Sequence, residues 1–192
     1  MSSQILKLDR IDGESGHSVR SELMAVEVEA AALYWEQLRG LLPENLEFWR
    51  RVRRGATDSV NSSLNYGYGI IYAKVFSKIT WAGLDPYVGF FHAWQAGKAA
   101  LLFDFVEMFR QYFVDRPIFS WLIKRGKPSI KNNRLTLQTR KRISGMVLDR
   151  LNEKVIYKGD NIAGENVILK KAQELALEIQ DGPSHKAYIW SW

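Results

Sequence analysis

Glu27, His92, Asp104 and Glu107 have the clearest capacity for chemistry in this sequence, because each stands among side chains that should exclude water. At about 100° per residue, Leu23, Glu27, Ala30, Tyr34 and Leu38 fall in one narrow helical stripe expected to face a core. Glu27 is in the middle of that stripe, and Glu29 is on the far, solvated side. Asp104 and Glu107 are three residues apart, neighbours on one helix face. Their flanks are Leu101, Leu102, Phe103, Phe105, Val106 and Phe109. His92 closes the apolar turn Val88-Gly89-Phe90-Phe91-His92, whereas His17 and His185 belong to a polar arm and to the tail. A buried carboxylate is costly unless it is paired, protonated or bound to a cation.

Two arrangements meet that cost. In one, the acids pair with interior arginines, Arg110 being three residues beyond Glu107. In the other, Glu27, His92 and Glu107 hold a divalent cation with Asp104 alongside. One imidazole with two carboxylates suits Mg²⁺ or Mn²⁺ better than a structural zinc, which favours sulfur and several histidines. Such an ion beside a basic surface suits phosphodiester chemistry. It polarises a phosphoryl oxygen, lowers the pKa of an attacking hydroxyl and offsets charge on the leaving oxygen.

The basic surface is readable in the charge distribution. Residues 1–49 hold 4 basic and 9 acidic side chains, while residues 110–158 hold 13 and 3, a local balance of +10 in a chain of net charge +6. That segment includes the run Arg140, Lys141, Arg142, and its charge is the kind that neutralises phosphates. A solvated basic face with no partner is the alternative. The 192 residues fit one domain, or a domain with a small appendage. With no cysteine, disulfides and thiolate metal sites are excluded, and a reducing cytoplasm is the natural setting. No signal peptide opens the chain, and no apolar run reaches the ~20 residues of a membrane span. A soluble protein is expected.

The elements that must position these residues read as helices. Residues 1–20 form a polar arm. Ser21 can cap a helix to about Arg39, and a shorter one spans Pro43–Arg54. Asp58 can cap a long helix to Ala82, whose apolar positions Val60, Leu64, Ile71, Val75 and Ile79 keep helical spacing. Gly67 and Gly69 inside it cost about 1 kcal/mol each relative to alanine, which points to a close helix crossing or a nearby ligand. A fourth helix covers Lys98–Val114, followed by a short aromatic segment to Lys124 and a loop over Arg125–Asn133. Thr136 caps a basic helix to about Tyr157, and Gly164 precedes a last helix to Gln180. The tail, Tyr188-Ile189-Trp190-Ser191-Trp192, is apolar enough to dock. Strand signal is slight, so the expected class is all-α, a mostly helical bundle, with residues 21–192 as the catalytic domain.

Three runs carry a resemblance. They are Asn61-Ser62-Ser63-Leu64-Asn65-Tyr66-Gly67-Tyr68, then Ala82-Gly83-Leu84-Asp85-Pro86-Tyr87-Val88-Gly89-Phe90-Phe91-His92, then Leu101 to Arg110 with Asp104-Phe105-Val106-Glu107 at its centre. In order and spacing they closely resemble the signature of the CRISPR-associated integrase family. Upstream, Leu23-Met24-Ala25-Val26-Glu27 with Ala30-Ala31-Ala32 resembles that family's first acidic motif. Val28 stands where the family usually has glycine, a change that bears on packing near the acid. The similarity covers about Ser21 to Trp192, the family's helical catalytic domain.

The resemblance implies an enzyme that inserts short DNA into a CRISPR repeat by metal-assisted transesterification. Family metal ligands fall on Glu27, His92 and Glu107, with Asp104 a further acid beside them and Mg²⁺ or Mn²⁺ as the ion. Lys98 and Arg110 match basic positions near the site, and Asn61 and Tyr68 match positions lining it. Double-stranded DNA is the implied partner, with Arg140, Lys141 and Arg142 on the basic helix meeting phosphates. The N-terminal β-domain of full-length members has no counterpart here, which resembles the short form found in some type V systems. Those are thought to act without the ferredoxin-like partner subunit, so a homodimer or homotetramer is expected to bring two sites to two DNA ends. A DNA-binding structural subunit and a nuclease of branched DNA are the competing readings.

Overall fold

The computed structural model describes residues 16–91 and 95–181. Among them the class is helical, with two small hairpins. Helix α1 spans Gly16–Leu41, beginning five residues before the expected Ser21 cap, so the arm merges into it. Its stripe divides in a way the periodicity does not anticipate. Tyr34 and Leu38 are half-buried, but every residue from Glu27 to Leu33 is exposed. The reason is that α1 runs past the core it packs on. Trp35, Leu38 and Leu42 pack against that core, Trp35 lying 6.3 Å from the rings of both Phe48 and Phe119. Glu27 is therefore not on a buried face.

The helix expected over Pro43–Arg54 shrinks to a 3-10 turn, Glu44–Leu46. Beyond it the backbone of the arginine run is satisfied from the next helix. The Asn61 side chain accepts from Val52 N (2.8 Å) and donates to Arg50 O (2.8 Å), and Asn65 donates to Arg53 O (3.0 Å). Backbone groups that find such partners have no need of a helix.

Helix α2, Ser59–Trp81, starts where Asp58 accepts from Asn61 N (2.7 Å) and ends before Gly83 at φ +80°. Val60, Leu64, Ile71, Val75 and Ile79 are fully buried, so α2 is the central rod. A Cβ on Gly67 would lie 2.7 Å from Val114 Cγ1 and 3.1 Å from Ile118 Cδ1. That is the close crossing expected. Gly69 is exposed, with nothing within 4 Å.

Helix α3, Ala100–Arg110, passes through a π-helical turn, Gln111–Asp115, into α4, Arg116–Ile123. Pro117 lacks the N–H that regular helix geometry would aim at residue 113. The wide turn ahead of it, with its i→i+5 pattern, carries the chain onward without a break.

Two hairpins replace expected loop and helix. Strands β1, Ile130–Lys131, and β2, Arg134–Leu135, are antiparallel, with Ile130 opposite Leu135. They turn through Asn132 and Asn133 at φ +52° and +56°, the paired left-handed conformations of a tight hairpin. Helix α5, Leu137–Asn152, is capped by Thr136. It stops short of Tyr157 because β3, Lys154–Tyr157, pairs with β4, Asp160–Ala163, around Lys158 and Gly159. Helix α6, Gly164–Asp181, closes the described chain, and the apolar tail lies outside the described residues. Helices α3, α5 and α6 pack around α2. No described helix is long and apolar enough to cross a membrane.

Candidate active site

Glu107 stands on the outer face of α3, its side chain 44% exposed. One of its oxygens is paired with Arg110, the ion pair foreseen from their spacing. The other has no partner among the described residues. Asp104, one turn earlier, has a different task. Its Oδ2 accepts from Phe90 N (2.8 Å) and Phe91 N (2.9 Å), at the end of the turn leading to His92. Gly89 makes room for this, since a Cβ there would lie 2.8 Å from Asp104 Oδ2 and 2.7 Å from Ala100 Cβ. His92 itself lies outside the described residues. Lys98, in the segment after it, is exposed and pairs with Gln95.

Between α1, α2 and the π turn lies a polar cluster that the motifs only touch. Asp115 is 3% exposed. It accepts from Tyr34 Oη at 2.8 Å and, in a short hydrogen bond, from Tyr68 Oη. The Tyr68 ring has two guanidiniums over it, Arg110 at 4.6 Å and Arg51 at 5.1 Å. Arg51 also lies 5.7 Å from the Trp35 ring and donates to Asn61 Oδ1 (2.9 Å) and Asn65 Oδ1 (2.5 Å).

Burial dominates the electrostatics here. It pushes Tyr34 and Tyr68 well above the ordinary tyrosine range, and neighbouring Asp115 adds to this, so both phenols remain donors. Burial likewise raises the Asp115 carboxyl, against the pull of its two phenol donors and of Arg110 and Arg51. Burial works against the charge of Arg110, but the Tyr68 ring beneath it and its partner Glu107 outweigh it and hold that guanidinium above its usual range.

Two residues expected to line the site are buried here. Asn61 is 1% exposed. It accepts from Val52 N and Arg51 and donates to Arg50 O and Asp58, which uses its full capacity of two donors and two lone pairs. In this arrangement it holds the arginine segment. Tyr68, 3% exposed, acts from inside the fold in the same way.

The basic helix is placed as its sequence suggests. Arg140, Lys141 and Arg142 are all exposed on α5. Arg142 helps line an open groove of about 980 Å³ between α4 and α5 with Arg116, Trp121, Lys124 and Arg150. Arg116 and Lys124 also border a smaller depression reaching Tyr34 and Asp115. The signal for Asp115 was present as a lone acid inside the apolar run Tyr112 to Ile118. Nothing in that run says which donors would reach it.

Among the described residues no three His, Asp or Glu side chains gather as a metal centre. The donor set nonetheless suits a hard divalent cation. Glu27 is exposed, and one Glu107 oxygen has no partner among the described residues. Asp104, already engaged by two amides, fits the part of a support better than that of a ligand.

Residues 1–153 match the family described as CRISPR associated protein Cas1. The chain is 32% identical over 97% of its length to the CRISPR-associated endonuclease Cas1 1 of Archaeoglobus fulgidus, of which it covers 57%. It is 33% identical over 90% of its length to the CRISPR-associated protein Cas1 3 of Methanobrevibacter ruminantium, covering 53% of that protein. It thus spans about half the length of these relatives. Among solved structures, a casposase bound to integration product superposes with TM-score 0.83 at 28% identity, over 94% of this chain and 52% of the casposase. The Thermotoga maritima Cas1 protein TM1797 has the same fold, with TM-score 0.79 at 21% identity, over 94% of this chain and 58% of that one. By the family match, which takes in residues 1–153, the chain belongs to the CRISPR associated protein Cas1 family.

Proposed function

We propose that this chain carries the helical catalytic unit of a DNA integrase, over residues 21–192, joining short DNA to a CRISPR repeat. The observation that carries the reading is the likeness to a casposase solved with its integration product. In the reaction, the 3′-hydroxyl oxygen of an incoming strand forms a new bond to a phosphorus of the target. The old phosphorus–oxygen bond breaks, the hydroxyl gives up its proton, and the departing 3′-oxygen takes one up. Bound Mg²⁺ or Mn²⁺ would supply Lewis-acid stabilisation of the phosphoryl oxygens.

The chain's own residues would divide the remaining work. Glu27, His92 and Glu107 would hold the ion. Arg110 keeps one Glu107 oxygen turned aside, and Asp104 ties the backbone ahead of His92. Lys98 and the exposed cations Arg140, Lys141 and Arg142 would bind phosphates, continuous with the groove over α4. Because two DNA ends need two sites, a dimer or tetramer is expected.

A strand-transfer assay with labelled duplexes and a repeat-containing plasmid tests this. Joined products should require Mg²⁺ or Mn²⁺ and vanish in His92→Ala while DNA binding persists. Binding without products would instead indicate a structural subunit, and cutting without joining a nuclease.

A further inference from the structure

We infer that Asp115 is a positioning residue. Through Tyr34 it fixes α1, and with it Glu27, against the helix that carries Glu107. The inference rests on the reading above only in taking Glu27 and Glu107 to work together. The observation is the hydrogen bond from Tyr34 Oη to Asp115 Oδ2, 2.8 Å, inside a cluster where the carboxylate is 3% exposed.

Glu27 and Tyr34 are seven residues apart, two helical turns on the same face and about 10 Å along the axis. Every residue between them is exposed. Tyr34 is therefore where this part of α1 takes hold of the core, and a small rotation there displaces Glu27. On the other side, direct contacts lead from Asp115 to Glu107. The carboxylate accepts from Tyr68, Arg110 lies over the Tyr68 ring, and Arg110 pairs with Glu107. One buried acid thus joins the helices bearing both candidate ligands.

A purely structural junction would be served as well by apolar side chains, which escape the cost of burying a carboxylate. What the polar junction adds is direction. Two phenols on one carboxylate, Tyr34 from α1 and Tyr68 from α2, fix the azimuth of α1 as well as its distance, which a ring contact such as that of Trp35 with Phe119 does not.

The chain has no cysteine, so spin labels can be introduced cleanly, by Met24→Cys on α1 and Leu148→Cys on α5. Electron–electron distance measurement should give one narrow distribution in the otherwise unaltered protein. It should broaden in Tyr34→Phe, which removes only a hydroxyl, and in Asp115→Asn. Combining the two should do no more than Asp115→Asn alone, as for partners in one bond. A core control, Val147→Ala, should lower the melting temperature and leave the distribution narrow.

In unlabelled protein, Mn²⁺ binding followed through the free-ion resonance should weaken about tenfold in both latch variants. It should be lost in Glu27→Gln, whose distance distribution stays narrow. An unchanged distribution in Tyr34→Phe overturns the inference, as does equal broadening in Val147→Ala. Absence of Mn²⁺ binding in the unaltered protein would sink the metal reading instead, and the distances would still decide the latch.

Discussion

Replacing Glu174 with glutamine should loosen α6 from the β3–β4 hairpin by a measurable and pH-dependent amount. Glu174 Oε1 accepts from Tyr157 Oη and Lys158 Nζ, each at 2.5 Å, and Oε2 from Lys171 Nζ at 3.0 Å. Lys171 is 3% exposed, Lys158 is on the surface and Glu174 is 23% exposed. Burial alone would raise the Glu174 carboxyl. Hydrogen bonds from Lys158, Tyr157 and Lys171 outweigh it and bring it from 4.5 to about 2.

Breaking a fully buried ion pair costs about 3–5 kcal/mol. A hydrogen bond to a charged group is worth about 1.5–3 kcal/mol, and an exposed ion pair under about 1. Partial exposure, together with the ability of glutamine to keep accepting, places Glu174→Gln near 2 kcal/mol. That corresponds to roughly 4–8 °C in melting temperature for a domain of this size.

The pH dependence has a definite sign. A depressed carboxyl stabilises the fold above its unfolded pKa, near 4.5, and that stabilisation is lost as pH falls through about 2. Urea denaturation of both proteins should therefore show a constant gap from pH 7 to 5, shrinking below 4.5. Equal stability at pH 7, or a gap undiminished at pH 3, would refute the argument.

The two helical glycines should respond oppositely to alanine. Gly69→Ala meets nothing within 4 Å and should stabilise by about 0.5–1 kcal/mol, whereas Gly67→Ala collides with Val114 and Ile118 and should lower the melting temperature despite the same helical gain. Asn61→Ala, stripping partners from Arg50, Arg51 and Val52, should cost about 2–3 kcal/mol in urea denaturation, and an unchanged midpoint would return Asn61 to the ligand-facing role. DNA affinity should fall steeply with salt, and Lys124→Ala with Arg142→Ala should reduce that slope by up to about 1.8; an unaltered slope in anisotropy titrations would remove the groove from the interface.

The helical class and the boundaries of α2 are legible in the chain because Asp58 and Gly83 are strong local signals and the apolar spacing between them is regular. The two hairpins escape notice for a related reason. Their strands are two to four residues long, too brief for alternation to declare itself, and only the Asn132-Asn133 and Lys158-Gly159 turns mark them. Glu27 shares the stripe of core residues and yet is exposed, because periodicity reports which face a residue shares, not how far along the helix the core extends. Asp115 and Arg51 show the same limit. Each is visible as a charge in its own segment, but their meeting around Tyr68 depends on a crossing at Gly67 and on a wide turn, neither of which is local.

That wide turn separates two problems which an uninterrupted helix would have tied together. Each extra residue in a turn rotates everything downstream by about 100°. Accommodating the π geometry between Arg110 and Arg116 therefore sets the phase of α4 independently of α3. The acid-bearing face and the cationic face can then be aimed separately. A lineage could re-angle α4 by adding or deleting a single residue there, provided that Asp115, at the end of the turn, kept its hold on Tyr34 and Tyr68.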